Sequence, residues 1–322
     1  MKKTFCSFLA AVLCFSLLSC AQKPAEEITA PSPESTVAST EAPVQHLSFA
    51  ELQYTEFLFS SGAGAWGTTL YVSSDGTFRG SYHDSEMGSN SEEYPMGTVY
   101  LCEFTGQFGE PVPIDEYTWS LPIRVLSYAQ VPERQEIEDG IRYCYTTAFG
   151  LEGTRAMLLF SPDTPIHTLP EEYCQWIGIS GSGTLSFWGL YNPDQQQGFS
   201  STDLKQYVMT AIDQAEQEDA NYDTQLQAAA TQDDRDFAAQ MRFNRWDVIL
   251  NQVWGLLKQS MEPEAMAKLT QLQLDWISQR DAAAGDATGQ CADPAAAQEV
   301  QFTTSADWTK ERVYYLLQYI PQ

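Results

Sequence analysis

Three histidines and four cysteines beyond the first twenty residues are the side chains of this 322-residue chain best suited to nucleophilic or metal chemistry. A Ser/His/Asp or Cys/His centre needs a base beside its nucleophile, and a zinc site needs ligands at short, characteristic spacing. Neither pattern occurs. His46 borders a Pro- and Ser-rich stretch, His83 lies in the acidic stretch His83-Asp84-Ser85-Glu86, and His167 sits in a Pro-rich loop. Cys102, Cys144, Cys174 and Cys291 form no Cys-x-x-Cys or Cys/His cluster, and their spacing does not choose among the possible disulfide pairings. With 43 Asp and Glu, paired carboxylates are too common to be a signal. The run from Asp213 to Asp223 and the pair Asp233-Asp234 lack the alternating ligands and central Gly of a calcium loop, so a solvated helix face is expected there. The inventory predicts no catalytic residue, no metal and no cofactor, and a protein that works by non-covalent recognition.

Charge narrows the partners. Against the 43 acids stand 17 Lys and Arg, a formal net charge of -26. No basic surface is left to neutralise phosphates, which excludes nucleic acid and disfavours anionic lipid surfaces. Basic proteins are what such a field attracts.

The elements that must position any binding residues begin after an export address. Met1-Lys2-Lys3 is a positive n-region, and the apolar stretch from Phe5 to Leu18 is too short to span a membrane. It ends Leu17-Leu18-Ser19-Cys20, which resembles the lipobox of bacterial lipoproteins. That resemblance implies a signal peptide over 1–19 and acylation (palmitate) of Cys20. It places the protein on the extracytoplasmic face of the cell membrane, held by lipid alone. Residues 20–47 carry that anchor and a linker of Pro, Ala, Ser, Thr and Glu with almost nothing to bury.

Residues 48–200 read as a β-rich domain. Short β-branched and aromatic runs recur at 67–74, 77–82, 97–106, 140–147, 154–160 and 183–191, and Asp75-Gly76 between the first two is a hairpin signal. About eight strands at this spacing predict an antiparallel barrel or sandwich. Gly64-Ala65-Trp66 resembles the Gly-x-Trp that opens lipocalin-type barrels, so a calycin-like barrel stands beside a generic sandwich. Tyr71, Tyr82, Tyr94, Tyr100 and Trp119 would line a ligand cavity if such a barrel were hollow, and core if it were not.

Residues 202–322 have helical periodicity, which makes the chain α+β and multidomain. Thr202-Asp203 offers a cap for a first helix bearing Leu204, Tyr207, Val208 and Ile212 on one face. A second helix is expected from about Asp234 to Ser260, burying Phe237, Met241, Trp246, Leu250, Val253, Trp254 and Leu257. A third starts near Pro263 and ends around Ala284-Gly285, a loop follows to Pro294, and a last helix runs from about Ser305 to Tyr319. Polar residues stand among the apolar ones: Asp247 and Asn251 on the second helix, Gln273, Arg280 and Asp281 on the third. Asn251 follows the core residue Leu250 and Gln273 precedes Trp276 by three, which places both at the helix–helix boundary.

These residues carry a family resemblance. Asp247-Val248-Ile249-Leu250-Asn251-Gln252-Val253-Trp254, then Leu269 with Gln273, Trp276, Ile277, Arg280 and Asp281, then Thr309-Lys310-Glu311-Arg312-Val313-Tyr314-Tyr315-Leu316, resemble the pattern of the LprI-like lysozyme inhibitor family. The resemblance covers the helical part alone. It implies a helical hairpin or bundle in a bacterial envelope protein, and a non-catalytic binding module whose partner is a basic hydrolase such as lysozyme. Family members commonly carry cysteines bracketing this hairpin; here Cys291 alone lies in the C-terminal half, so that disulfide is absent or Cys291 pairs elsewhere. Asp247, Leu250, Asn251, Trp254, Gln273, Trp276, Arg280, Asp281 and Arg312 are the family-motif residues, read either as an internal network that fixes helix register or as contacts to a ligand. The alternative function is an envelope lipoprotein whose β domain binds a small apolar ligand or a cell-envelope component.

Overall fold

The strands follow from alternating inward apolar side chains. A computed structural model describes residues 46–320, Ala63 excepted; the signal segment, Cys20 and the linker up to residue 45 lie outside the described residues. The strands are β1 (Thr55–Ser60), β2 (Gly67–Val72), β3 (Thr77–Glu86), β4 (Thr98–Phe108), β5 (Val112–Pro113), β6 (Thr118–Tyr128), β7 (Gln135–Glu138), β8 (Ile141–Tyr145), β9 (Ala156–Phe160), β10 (Gly189–Asn192) and β11 (Gln197–Asp203). Eight of them, β1, β2, β3, β4, β6, β9, β10 and β11, each pair antiparallel with the next, and β11 returns to β1. The ring is a closed up-and-down barrel, not a sandwich, and closure removes the edges that an open sheet exposes.

The long strand β4 serves two neighbours. Phe104–Phe108 pair with β6, while Thr98–Leu101 pair in parallel with β8, which forms a small hairpin with β7 outside the ring. The β2–β3 turn has Gly76 at φ +79°, with the Asp75 carboxylate accepting from the Thr77 amide at 2.9 Å. The Asp-Gly signal thus marks the right hairpin, though Val72 pairs with Phe78 across a longer turn than two residues.

The interior is filled. Phe57, Phe59, Leu70, Phe78, Phe104, Phe108, Leu121, Met157, Leu159 and Phe199 are buried in one cluster. Two cross-strand pairs are reciprocal: Phe78 faces Gly106 and Phe104 faces Gly80. A Cβ on Gly80 would lie 2.4 Å from Phe104 Cζ, and one on Gly106 2.2 Å from Phe78 Cζ, so each ring occupies the space its partner glycine leaves. The segment 146–155 closes one end. Ala148 and Leu151 are buried, Thr68 donates to the Phe149 carbonyl at 2.7 Å, and Asn192 donates to the carbonyls of Gly150 and Glu152 at 3.0 and 2.9 Å. Trp66 packs there on Phe59, Phe149 and Trp176. The aromatics considered as cavity walls do not converge. Trp119 is core, Tyr82 rests on Phe149, Tyr71 stacks under Arg79, and Tyr94 sits under Arg142.

One short helix, α1 (Glu171–Ile177), packs on the barrel through Tyr173. After β11 come α2 (Leu204–Asp219), α3 (Tyr222–Ala228), α4 (Gln232–Ser260), α5 (Pro263–Gly289) and α6 (Ala297–Leu317). Asp203 caps α2 by accepting from the Gln206 amide, and Thr231 with Asp234 forms a capping box on α4. Pro263 opens α5, where its missing amide costs nothing. Helix α5 runs beyond Gly285 to Gly289 and α6 starts at Ala297, so the loop between them is shorter than the Gly-containing sequence suggests. The helical core joins Val208, Ile212, Trp246, Ile249, Leu250, Val253, Leu257, Leu269, Trp276, Val313 and Leu316. Tyr54, ahead of β1, packs against this core and accepts from the Leu204 amide at 2.9 Å. The barrel and helices therefore share one seam.

Candidate functional site

The family-motif residues sit on facing turns of α4, α5 and α6. Leu250 and Trp276 are buried, and Trp254 packs against the same core from a half-buried position. The Trp276 ring has two guanidinium groups near it, Arg280 at 5.3 Å and Arg312 at 5.5 Å from its centroid. Arg312 reaches from α6 to α5, its Nε donating to Gln273 Oε1 at 2.8 Å. Gln273 is 8% exposed, so it does lie at a helix–helix boundary, between α5 and α6.

Arg312 is 9% exposed, takes part in none of the ion pairs among the described residues, and its Nη2 is buried without a partner. Desolvation consequently lowers its pKa. The tyrosine and tryptophan faces around it provide the attraction that a carboxylate would otherwise supply, with Tyr315 at 4.6 Å.

Asp247, Asn251 and Asp281 lie at the surface, while the Arg280 side chain is largely covered. Arg280 pairs with Asp281 at 2.9 Å and with Asp247 at 3.6 Å, and stacks near Phe243. Asn251 is exposed and donates to the Asp247 carbonyl at 2.8 Å within its own helix. The expectation that Asn251 reaches the helix–helix boundary is therefore corrected: its neighbour Leu250 takes the inward position, and a residue one step along turns away by about 100°.

A second polar cluster was not visible in the sequence. Asp219 at the end of α2 is 8% exposed at its side chain and meets Arg242 of α4, Lys310 of α6 at 2.8 Å, and the Trp246 indole N–H at 3.4 Å. Burial alone would raise the Asp219 carboxyl, but hydrogen bonds from Arg242 and Lys310 and their charges hold it at about 2. Arg242 also pairs with Asp307 at 2.7 Å, and Lys310 with Glu216 at 2.7 Å. Asp219 falls inside the acidic run read as a solvated face; most of that run is exposed, while this one carboxylate is the hub joining three helices.

Beside this hub a cleft of about 430 Å³ opens between α2, α3 and α4, walled by Tyr222, Met241, Arg242, Arg245, Trp246 and Val248. Here the expected buried stripe of α4 is corrected. Phe237 is 63% exposed and Met241 49% exposed, because α2 and α3 cover a different face of this 29-residue helix.

The sequence-flagged chemistry stays dispersed. His46, His83 and His167 are exposed, His83 on β3 and His167 in the turn Ile166–Thr168. The four described cysteines are free. Cys102 and Cys144 are buried, and Cys291 donates to the Asp293 carbonyl. Among the described residues no group of three or more His, Cys, Asp or Glu is placed to hold a metal ion.

Residues 212–316, from the second half of α2 through nearly all of α6, match the family model described as lysozyme inhibitor LprI. All nine motif residues fall inside that span, and the barrel falls outside it. Comparison with curated proteins and with solved structures found no match.

Proposed function

We propose that the protein is a lipid-anchored, extracytoplasmic binding module that captures a basic hydrolase of the lysozyme type without chemistry of its own. The observation that carries this reading is the match of the helical region to the lysozyme inhibitor LprI model. Charge supports it: an acidic chain steers a basic partner toward itself, faster at low ionic strength. The packed barrel interior weighs against an apolar ligand held inside it, since a buried ligand needs space that Phe57, Phe78, Phe104 and Phe199 already fill.

The test is titration of a basic lysozyme with the purified chain, reading both complex formation and the clearing of a cell-wall suspension. Binding that weakens with added salt and a matching loss of clearing are expected. Absence of any complex at low salt would remove this function. Anchoring is tested separately: Cys20→Ala should abolish incorporation of a labelled fatty acid and release the protein from the membrane fraction, and unchanged labelling would refute the anchor.

A further inference from the structure

The outer face of α4 carries Phe237, Met241, Asn244 and Val248 in one helical row. Its three apolar members are 63%, 49% and 51% exposed. A helix that has completed its packing shows polar residues on this face, and contiguous apolar surface of this kind marks contact with a partner. Two of the three, Met241 and Val248, also wall the cleft between α2, α3 and α4, so the row and the cleft form one concave apolar surface with Trp246 at its floor.

Inside the cleft Glu218 and Asp219 are matched by Arg245 and Arg242, but the chain that frames it is one-sided in charge. Residues 213–245 hold eight carboxylates and three arginines. Each arginine is already paired: Arg235 with Glu299, Arg242 with Asp219 and Asp307, and Arg245 with Glu218. Glu218, which lines the cleft, and Asp233, one turn before Phe237 in the row, are exposed and form its acidic margin. A second copy of the chain would bring the same acidic margin against itself, which opposes self-docking.

We infer that this row and cleft are the docking face for a cationic protein, which inserts an apolar side chain between Met241 and Val248 and sets Lys or Arg against the acidic margin. The inference rests on the binding-module reading and assigns its contact face to α2, α3 and α4, leaving the Trp276 motif as the strut behind it.

The experiment uses the full chain and a basic lysozyme as probe, at low and physiological salt. Met241→Glu is the informative variant because it adds an acid to an already acidic surface. Were binding set only by overall charge, the variant would bind as well or better. Docking through the apolar row instead predicts a loss of about tenfold or more, with an unaltered circular dichroism spectrum since the side chain is half exposed. Val131→Glu on the barrel, at a residue 73% exposed, serves as the control and should bind like the wild type. Wild-type binding with Met241→Glu unchanged overturns this face and leaves the binding-module reading intact. A wild-type dimer in sedimentation that Met241→Glu dissolves overturns it in favour of self-docking. No wild-type binding at all overturns the reading and the face together.

Discussion

Replacing Asp219 by Asn tests whether three helices are tied by one buried carboxylate. The amide keeps the shape and removes the charge, while Arg242 retains Asp307 and Lys310 retains Glu216. The Asp219 carboxyl is lowered from 3.8 to about 2 in the folded chain. At about 1.4 kcal/mol per unit, its ionised form contributes about 2 kcal/mol to stability at neutral pH. The sign follows from the depressed value. The contribution is complete above the unfolded value and disappears as the pH falls through the folded one, so roughly half is left near pH 3. Urea unfolding of wild type and Asp219→Asn at neutral pH and near pH 3, followed by far-ultraviolet circular dichroism, should give a deficit that shrinks by about half. A deficit of equal size at both pH values, or below about 0.5 kcal/mol at neutral pH, would refute the assignment of Asp219 as the hub.

Three further outcomes are expected. Gly80→Ala places a methyl 2.2 Å from the Thr69 carbonyl and 2.4 Å from Phe104, and should lower barrel stability by about 2–3 kcal/mol in urea titration. Gln273→Leu strips Arg312 of its hydrogen bond and should cost about 1–3 kcal/mol, whereas the double variant Gln273→Leu/Arg312→Met, which also removes the buried charge, should recover most of that in thermal unfolding. Burial pushes the Cys102 thiol up to about 11, so iodoacetamide at about pH 8 should label Cys102 only after unfolding, as read by peptide mapping.

The barrel's strands were legible wherever alternation was regular and glycine punctuated it, as at 67–82 and 97–106. Strand β6 was missed although Trp119, Leu121 and Ile123 alternate, because Pro122 within it argues against a strand. That residue sits opposite Ala156 in the ladder and is tolerated. Closure into a ring could not be read, since it depends on β1 meeting β11, a contact between sequence-distant segments with no local mark. The motif around Trp276 was legible through the family resemblance, and its inward members Leu250, Gln273 and Trp276 lie where helical periodicity puts them. The Asp219 hub was not, because its partners Arg242 and Lys310 lie on other helices and an acidic run conceals the one buried member. Phe237 and Met241 misled for the converse reason: apolar periodicity reports a face, not which neighbour covers it.

Asp203 belongs to two structures at once, pairing with Thr55 in the ladder that shuts the ring and capping the first turn of α2. In a chain made from its N-terminus, β1 emerges first and its partner on that side last. Through most of barrel synthesis one flank of β1 is thus an open template for wrong pairing. The same junction couples the halves in the finished protein: fraying of the final ladder loosens the helix start, so local opening detected by amide exchange at Leu58 should be mirrored at Gln206.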